Sequence, residues 1–170
     1  MPSGIDSIIT TCVRQLVADP HVRGWCGKEH NWVSYFTHRY LINQCRPDSI
    51  LREPAQIAIE VGVAQPPGYK RPTVNRDLVV WAEPGSTCWN DQWSPLSHPL
   101  AIVEWKVHRP GHRNVDVIKE RLWLRRYCAW QPDVIAYAIE IDWTPDAYTL
   151  TCARFFGTTE QVDWLRFLVD

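Results

Sequence analysis

The stretch Leu100-Ala101-Ile102-Val103-Glu104-Trp105-Lys106-Val107 reads as a strand with charge where apolar residues belong. Side chains alternate along a strand, so Val103, Trp105 and Val107 share one face while Glu104 and Lys106 share the other. Ionised groups are almost never fully buried without partners, so this interruption demands an explanation. A matching interruption lies upstream in Arg76-Asp77-Leu78-Val79-Val80-Trp81, where an acid runs straight into an apolar segment.

Working outward, Ala55 to Val63 (AQIAIEVGV) is rich in β-branched residues and short enough for a strand. QPPGYKRP over Gln65 to Pro72 is punctuated as a turn, and a second strand follows from Val74 to Ala82. Residues 83–99 form a long loop, of a length that compact domains keep mainly for function. After the third strand, Asn114 can cap a helix over 115–129 with Val115, Ile118 and Leu122 as its apolar stripe. Two strands are expected at Val134 to Ile141 and Tyr148 to Phe155, joined by a turn over 143–146.

A closing helix is predicted from about Thr159. Thr158 and Gln161 have capping-box spacing, and Val162, Leu165, Leu168 and Val169 would form its inner face. Upstream, helical spacing predicts helices over 6–18 and 30–44. The expected order is α-α-β-β-β-α-β-β-α, an α/β domain with a mixed sheet spanning 1–170. Its helical part covers 1–50 and its strand-rich part about 55–141.

Composition narrows the classes. The chain has 170 residues, a net charge of -1 and 45% hydrophobic residues, which excludes a polybasic coat and a disordered tail. No apolar run approaches the roughly 20 residues of a spanning helix. MPSGIDSIITT lacks the look of a secretory signal, so a cytoplasmic location is expected. The six Cys form no C-x-x-C pair and read as reduced thiols, several of them small core residues. His108 and His112 flank a Pro-Gly turn and read as loop histidines rather than zinc ligands.

Two carboxylates and an ammonium on one sheet suit a hard divalent cation and a phosphate. Oxygens from Asp77, Glu104 and a backbone carbonyl would bind Mg²⁺, and Lys106 would orient water or offset charge in the transition state. An Asp in one strand, then E-x-K in the neighbouring antiparallel strand, then a helix and a strand, resembles the PD-(D/E)xK nucleases of restriction-endonuclease-like fold. The residues that carry the likeness are Asp77 and Glu104-Trp105-Lys106, within roughly 55–141. The resemblance implies a three-layer α/β/α fold around a central mixed sheet. It also implies Mg²⁺ or Mn²⁺ on Asp77, Glu104 and the Trp105 carbonyl, with Lys106 assisting the attacking water. Arg76 stands where Pro is usual before the Asp, and the loop before E-x-K is long.

Further candidates surround this centre. Glu60 would join the catalytic acids if the hairpin sets Gly62 opposite Asp77; otherwise it pairs with an Arg. Glu29 or Glu53 would supply an extra acid instead. Lys70, Arg71, Arg76, Arg109, Arg113 and Lys119 are the expected contacts to a nucleic-acid backbone, with DNA as the first expectation. For Lys119 to Arg126 an ordinary solvated helix face is the alternative. Trp89 and Trp93 suit base stacking or a homodimer interface. The plainer reading of the whole set is an ion pair on a half-exposed strand, in a nuclease-like chain that binds or assembles without catalysing.

Overall fold

The computed structural model describes residues 4–95, 97–110, 116–144 and 146–169. Helix α1 (Gly4–Ala18) turns Ile5, Ile9, Cys12, Val13 and Leu16 inward. Asp19-Pro20 ends it, because the ring of Pro20 removes a donor and restricts the residue before it. Helix α2 (Glu29–Phe36) continues through a wider turn (Thr37–Leu41) into a tighter one (Ile42–Gln44), filling the span predicted from sequence.

Six strands follow: β1 (Ile57–Ala64), β2 (Thr73–Val80), β3 (Ala101–His108), β4 (Ile135–Trp143), β5 (Tyr148–Phe156) and β6 (Thr159–Val169). They lie in sequence order in one sheet. Among the described residues only β3 and β4 pair in parallel, and helix α3 (Asp116–Trp130) lies between them in the chain, as a parallel pair needs a crossover.

The two faces are covered differently. Leu78, Val80, Val103, Trp105, Tyr137, Ile139 and Ile141 pack with α1 and α2, around Trp32, Phe36 and Leu41. Val79, Trp81, Ile102, Ala136 and Phe155 pack with Trp123, Leu124, Tyr127 and Cys128 of α3. The Trp-rich composition is used here: Trp32, Trp81 and Trp105 are among the largest fully buried side chains, and Phe36 meets Trp105 edge-on at 5.2 Å. All six Cys are free, and Cys12, Cys88, Cys128 and Cys152 are buried.

The C-terminal helix is a correction: Thr159–Val169 is strand β6, paired antiparallel along β5. Phe156 pairs with Thr159, leaving a two-residue hairpin that begins with Gly157 at φ 50°. Between the pairs Arg154↔Gln161 and Cys152↔Leu165 the chain takes four steps on β6 against two on β5, and Asp163 sits at φ 52°. That bulge breaks the period of two, so the apolar residues mimic helical spacing. Val162 and Leu168, predicted inward, are 60% and 70% exposed.

The phase of α3 is a second correction. Ile118 and Leu122 are exposed, and its buried side carries Trp123, Leu124, Tyr127 and Cys128. The predicted cap Asn114 and stripe residue Val115 lie outside the described residues. Among those described, no helix is long and apolar enough to cross a membrane.

Candidate functional site

The β2–β3 ladder stops early. Its last pair is Leu78↔Val103, although both strands run on. One further step of the same register sets Asp77 opposite Glu104. Instead of a backbone partner, the Trp105 amide donates to Asp77 Oδ2 at 2.8 Å. A strand residue directs its N–H and C=O to the same side, so the Trp105 carbonyl faces β2 as well, beyond the end of the ladder.

Across β2 the pattern recurs. Ile59 pairs with Leu78 and Val61 with Arg76, but the pair between them, Glu60 and Asp77, is not made. Glu60 sits at φ 52°, a conformation that costs a non-glycine residue about 1–3 kcal/mol and clusters at functional sites. Glu60 and Asp77 therefore stand opposite each other across β1 and β2, and the β2–β3 register carried one step past its last pair adds Glu104. Gly62 does not lie opposite Asp77 as expected; it pairs with Asn75, and a Cβ there would come within 3.8 Å of the Trp89 ring.

Glu104 is the most constrained of the acids. It is 4% exposed, and burial, opposed by the charge of Arg76, pushes its carboxyl up to about 8. Its Oε1 lies 3.2 Å from Arg76 Nη1 yet has no hydrogen-bond partner. Burial also raises the Asp77 carboxyl, against the Trp105 amide bond and the charge of Lys106. At Lys106 burial works to lower the ammonium, but Glu29, Asp77 and Glu104 outweigh it and leave it raised.

Helix α2 supplies the remaining wall. Lys106 Nζ meets Glu29 Oε2 at 3.0 Å. A cavity of about 150 Å³ is lined by Glu29, His30, Val33, Glu60 and Asp77. A second cleft of about 320 Å³ shares Glu29 and His30 and runs to Lys28, Val107 and Arg109. Glu29 is thus the early acid brought to the centre, while Glu53 starts the turn Pro54–Gln56, its amide donating to Gln56 Oε1 at 3.2 Å. His30 lines both clefts, and nothing in its sequence context marked it.

The basic residues divide. Arg76, expected at the nucleic-acid surface, is 5% exposed: it bonds Glu120 at 2.5 Å and lies over the Trp123 ring at 3.7 Å. Lys70 and Arg71 are exposed at the hairpin tip, and Lys119 is exposed on α3. Arg109 donates to the Cys26 and Gly27 carbonyls at 3.2 Å. Arg121 is bound to Glu160 and Glu140, and His108 Nε2 lies 3.5 Å from Glu140. Arg113 and His112 lie outside the described residues. Trp93 is 78% exposed at the loop tip, 6.4 Å from Trp89.

Among the described residues no three His, Cys, Asp or Glu side chains gather as ligands of one ion. Two carboxylates and a carbonyl remain a workable donor set for Mg²⁺, which keeps several waters. The buried Glu104 Oε1 faces the Arg76 charge at 3.2 Å but accepts no hydrogen bond, so it keeps a lone pair that such a cation could use. No family model, curated protein or solved structure matches the chain.

Proposed function

We propose that this protein is a Mg²⁺-dependent phosphodiesterase that hydrolyses nucleic acid, DNA first, through a PD-(D/E)xK-type site on a restriction-endonuclease-like fold. One observation carries the reading. Asp77 is pinned to the Trp105 amide where the β2–β3 ladder stops, beside a buried Glu104 with an unsatisfied oxygen and the Lys106 ammonium. A structural ion pair does not need an interrupted ladder, a left-handed Glu60 and a cavity at the same place.

A divalent cation, when bound, supplies polarisation of the phosphoryl oxygen and eases deprotonation of the attacking water. The residues that would hold it are Asp77, Glu104 and the Trp105 carbonyl. Glu29 holds Lys106 Nζ, which leaves ammonium protons to orient that water and to offset charge that grows on the phosphate. Lys28, His30 and Arg109 border the adjoining cleft, where cationic and polar groups can receive a phosphate backbone. Water attacks phosphorus, the bond to the leaving ester oxygen breaks, and that oxygen takes a proton.

The test is nicking of supercoiled plasmid, and of single-stranded DNA and RNA, with Mg²⁺ or Mn²⁺. Cleavage that disappears with the chelator and in Asp77→Ala supports the reading. No cleavage of any substrate, with wild type and Asp77→Ala alike, removes it. The second reading, a binding or assembly module without catalysis, is favoured by the partners already present: Arg76 faces Glu104, and Glu29 bonds Lys106. It predicts no heat on titration with Mg²⁺.

A further inference from the structure

Arg76 is the residue that departs from the family pattern, and its surroundings are unlike those of a surface arginine. Its side chain is 5% exposed, between two carboxylates and an indole. One terminal nitrogen, Nη1, serves both acids: it bonds Glu120 Oε2 at 2.5 Å and stands 3.2 Å from Glu104 Oε1. The first contact has hydrogen-bond geometry and the second does not, so Glu104 Oε1 and Arg76 Nε are both buried without a hydrogen bond. The Trp123 face beneath the guanidinium supports its charge from one side. The cation is therefore bonded to Glu120 and only lent to Glu104.

We infer that Arg76 is a resident counter-ion of the proposed metal site, a positioning residue that neutralises Glu104 until a divalent cation takes its place and then rests on Glu120 and Trp123. This rests on the reading of the site given above. Two properties of these surroundings support it. A guanidinium beside a ligand carboxylate competes with any other cation for the same charge. The Glu120 bond and the Trp123 ring give Arg76 a place to keep its own charge satisfied without moving far, so releasing Glu104 does not strand a buried ion.

The two partners then act in opposite directions on metal affinity. Arg76→Gln removes the competitor, and Mg²⁺ should bind roughly tenfold more tightly, the order expected for one nearby charge screened by the protein. Glu120→Gln leaves the guanidinium to Glu104 alone, and binding should weaken by about the same factor. Arg76→Lys keeps the charge but loses the planar fork and the stacking, and should fall between wild type and Arg76→Gln. Glu160→Gln removes an equal charge from the separate Arg121 cluster and should leave affinity unchanged.

The experiment is calorimetric titration of each folded variant with Mg²⁺ at mildly alkaline pH, where protons compete least. Circular dichroism checks the fold, and Glu120→Gln with Arg76→Lys carries the test if Arg76→Gln does not fold. Opposite shifts for the two partners support the inference. Weaker binding in Arg76→Gln or Arg76→Lys, or an equal loss in Glu120→Gln and Glu160→Gln, overturns it while the metal reading stands. Absence of Mg²⁺ binding in the wild type overturns both.

Discussion

Two buried acids face arginines across this sheet, and they are finished in opposite ways. Asp6 at the start of α1 uses both oxygens: Oδ1 accepts from Tyr137 at 2.8 Å and from Arg154 Nε at 2.6 Å, and Oδ2 accepts from Arg154 Nη2 at 2.8 Å. Arg154 in turn bonds Gln161 and lies over the Phe156 ring. Glu104 is equally deep, but one oxygen has no hydrogen bond and its arginine is bonded elsewhere. The first cluster ties α1 to β4 and β5 and has no unfinished chemistry. The second keeps desolvated charge beside a cavity and an interrupted ladder. A fully satisfied buried network rigidifies a core, and leaving one oxygen without a hydrogen bond sets the Glu104 cluster apart from the Asp6 cluster.

The widest separation between the two clusters should appear in activity. Asp77→Ala should lower Mg²⁺-dependent plasmid nicking on the order of 10³-fold, and Asp6→Ala should leave the rate per folded molecule unchanged. Equal losses in a nicking assay corrected for folded fraction would erase the distinction. Stability should invert that ranking. Asp6→Ala strands Arg154 in the interior and should cost about 3–5 kcal/mol in urea unfolding, the usual cost of breaking a buried pair. Asp77→Ala should cost much less, because it relieves a carboxyl that burial already disfavours.

A pH series sharpens the contrast. The Glu104 carboxyl rises from 4.5 when unfolded to about 8 when folded, so the folded state holds a proton that the unfolded chain has lost. Its contribution is present below pH about 4.5 and is lost as pH rises to about 8. Within that window unfolding free energy should fall as pH rises. Urea midpoints of Glu104→Gln across the same range should lose this component; an unchanged slope would mean that Glu104 is not the group responsible. The smallest expected effect belongs to Glu60. Glu60→Gly relieves a left-handed backbone and should raise unfolding free energy by about 1 kcal/mol. A loss of stability would show that the Glu60 side chain contributes more than its backbone costs.

Much of this architecture was legible along the chain. Helices α1 and α2 and strands β1 to β5 follow from local periodicity and turn residues, α3 was legible as a helix but not in its buried face, and Asp77, Glu104 and Lys106 were visible as charges inside apolar runs. The hairpin at Gly157 was missed: Thr158 and Gln161 have capping-box spacing, and the Asp163 bulge hides the strand alternation behind helical spacing in Val162, Leu165 and Leu168. The choice of Glu29 over Glu53 could not be read locally, since it depends on where the start of α2 meets β3. Arg76 looked like a surface cation for the same reason: only its neighbours across the sheet make it a buried one.

Up to Phe156 the chain alone specified which segments are helical or extended, since the spacing of apolar residues acts within a few residues of chain. It also determined that acids and a lysine would sit in strands. Tertiary structure decided that the last segment extends the sheet, because β5 offers an edge whose backbone groups need partners. It decided, too, that the β2–β3 ladder ends at Leu78, that Asp77 replaces the missing backbone bond, and that Arg76 turns inward to Glu104. Register and burial join residues far apart in the chain, and a charge has no fixed role until its desolvation and its partners are set together.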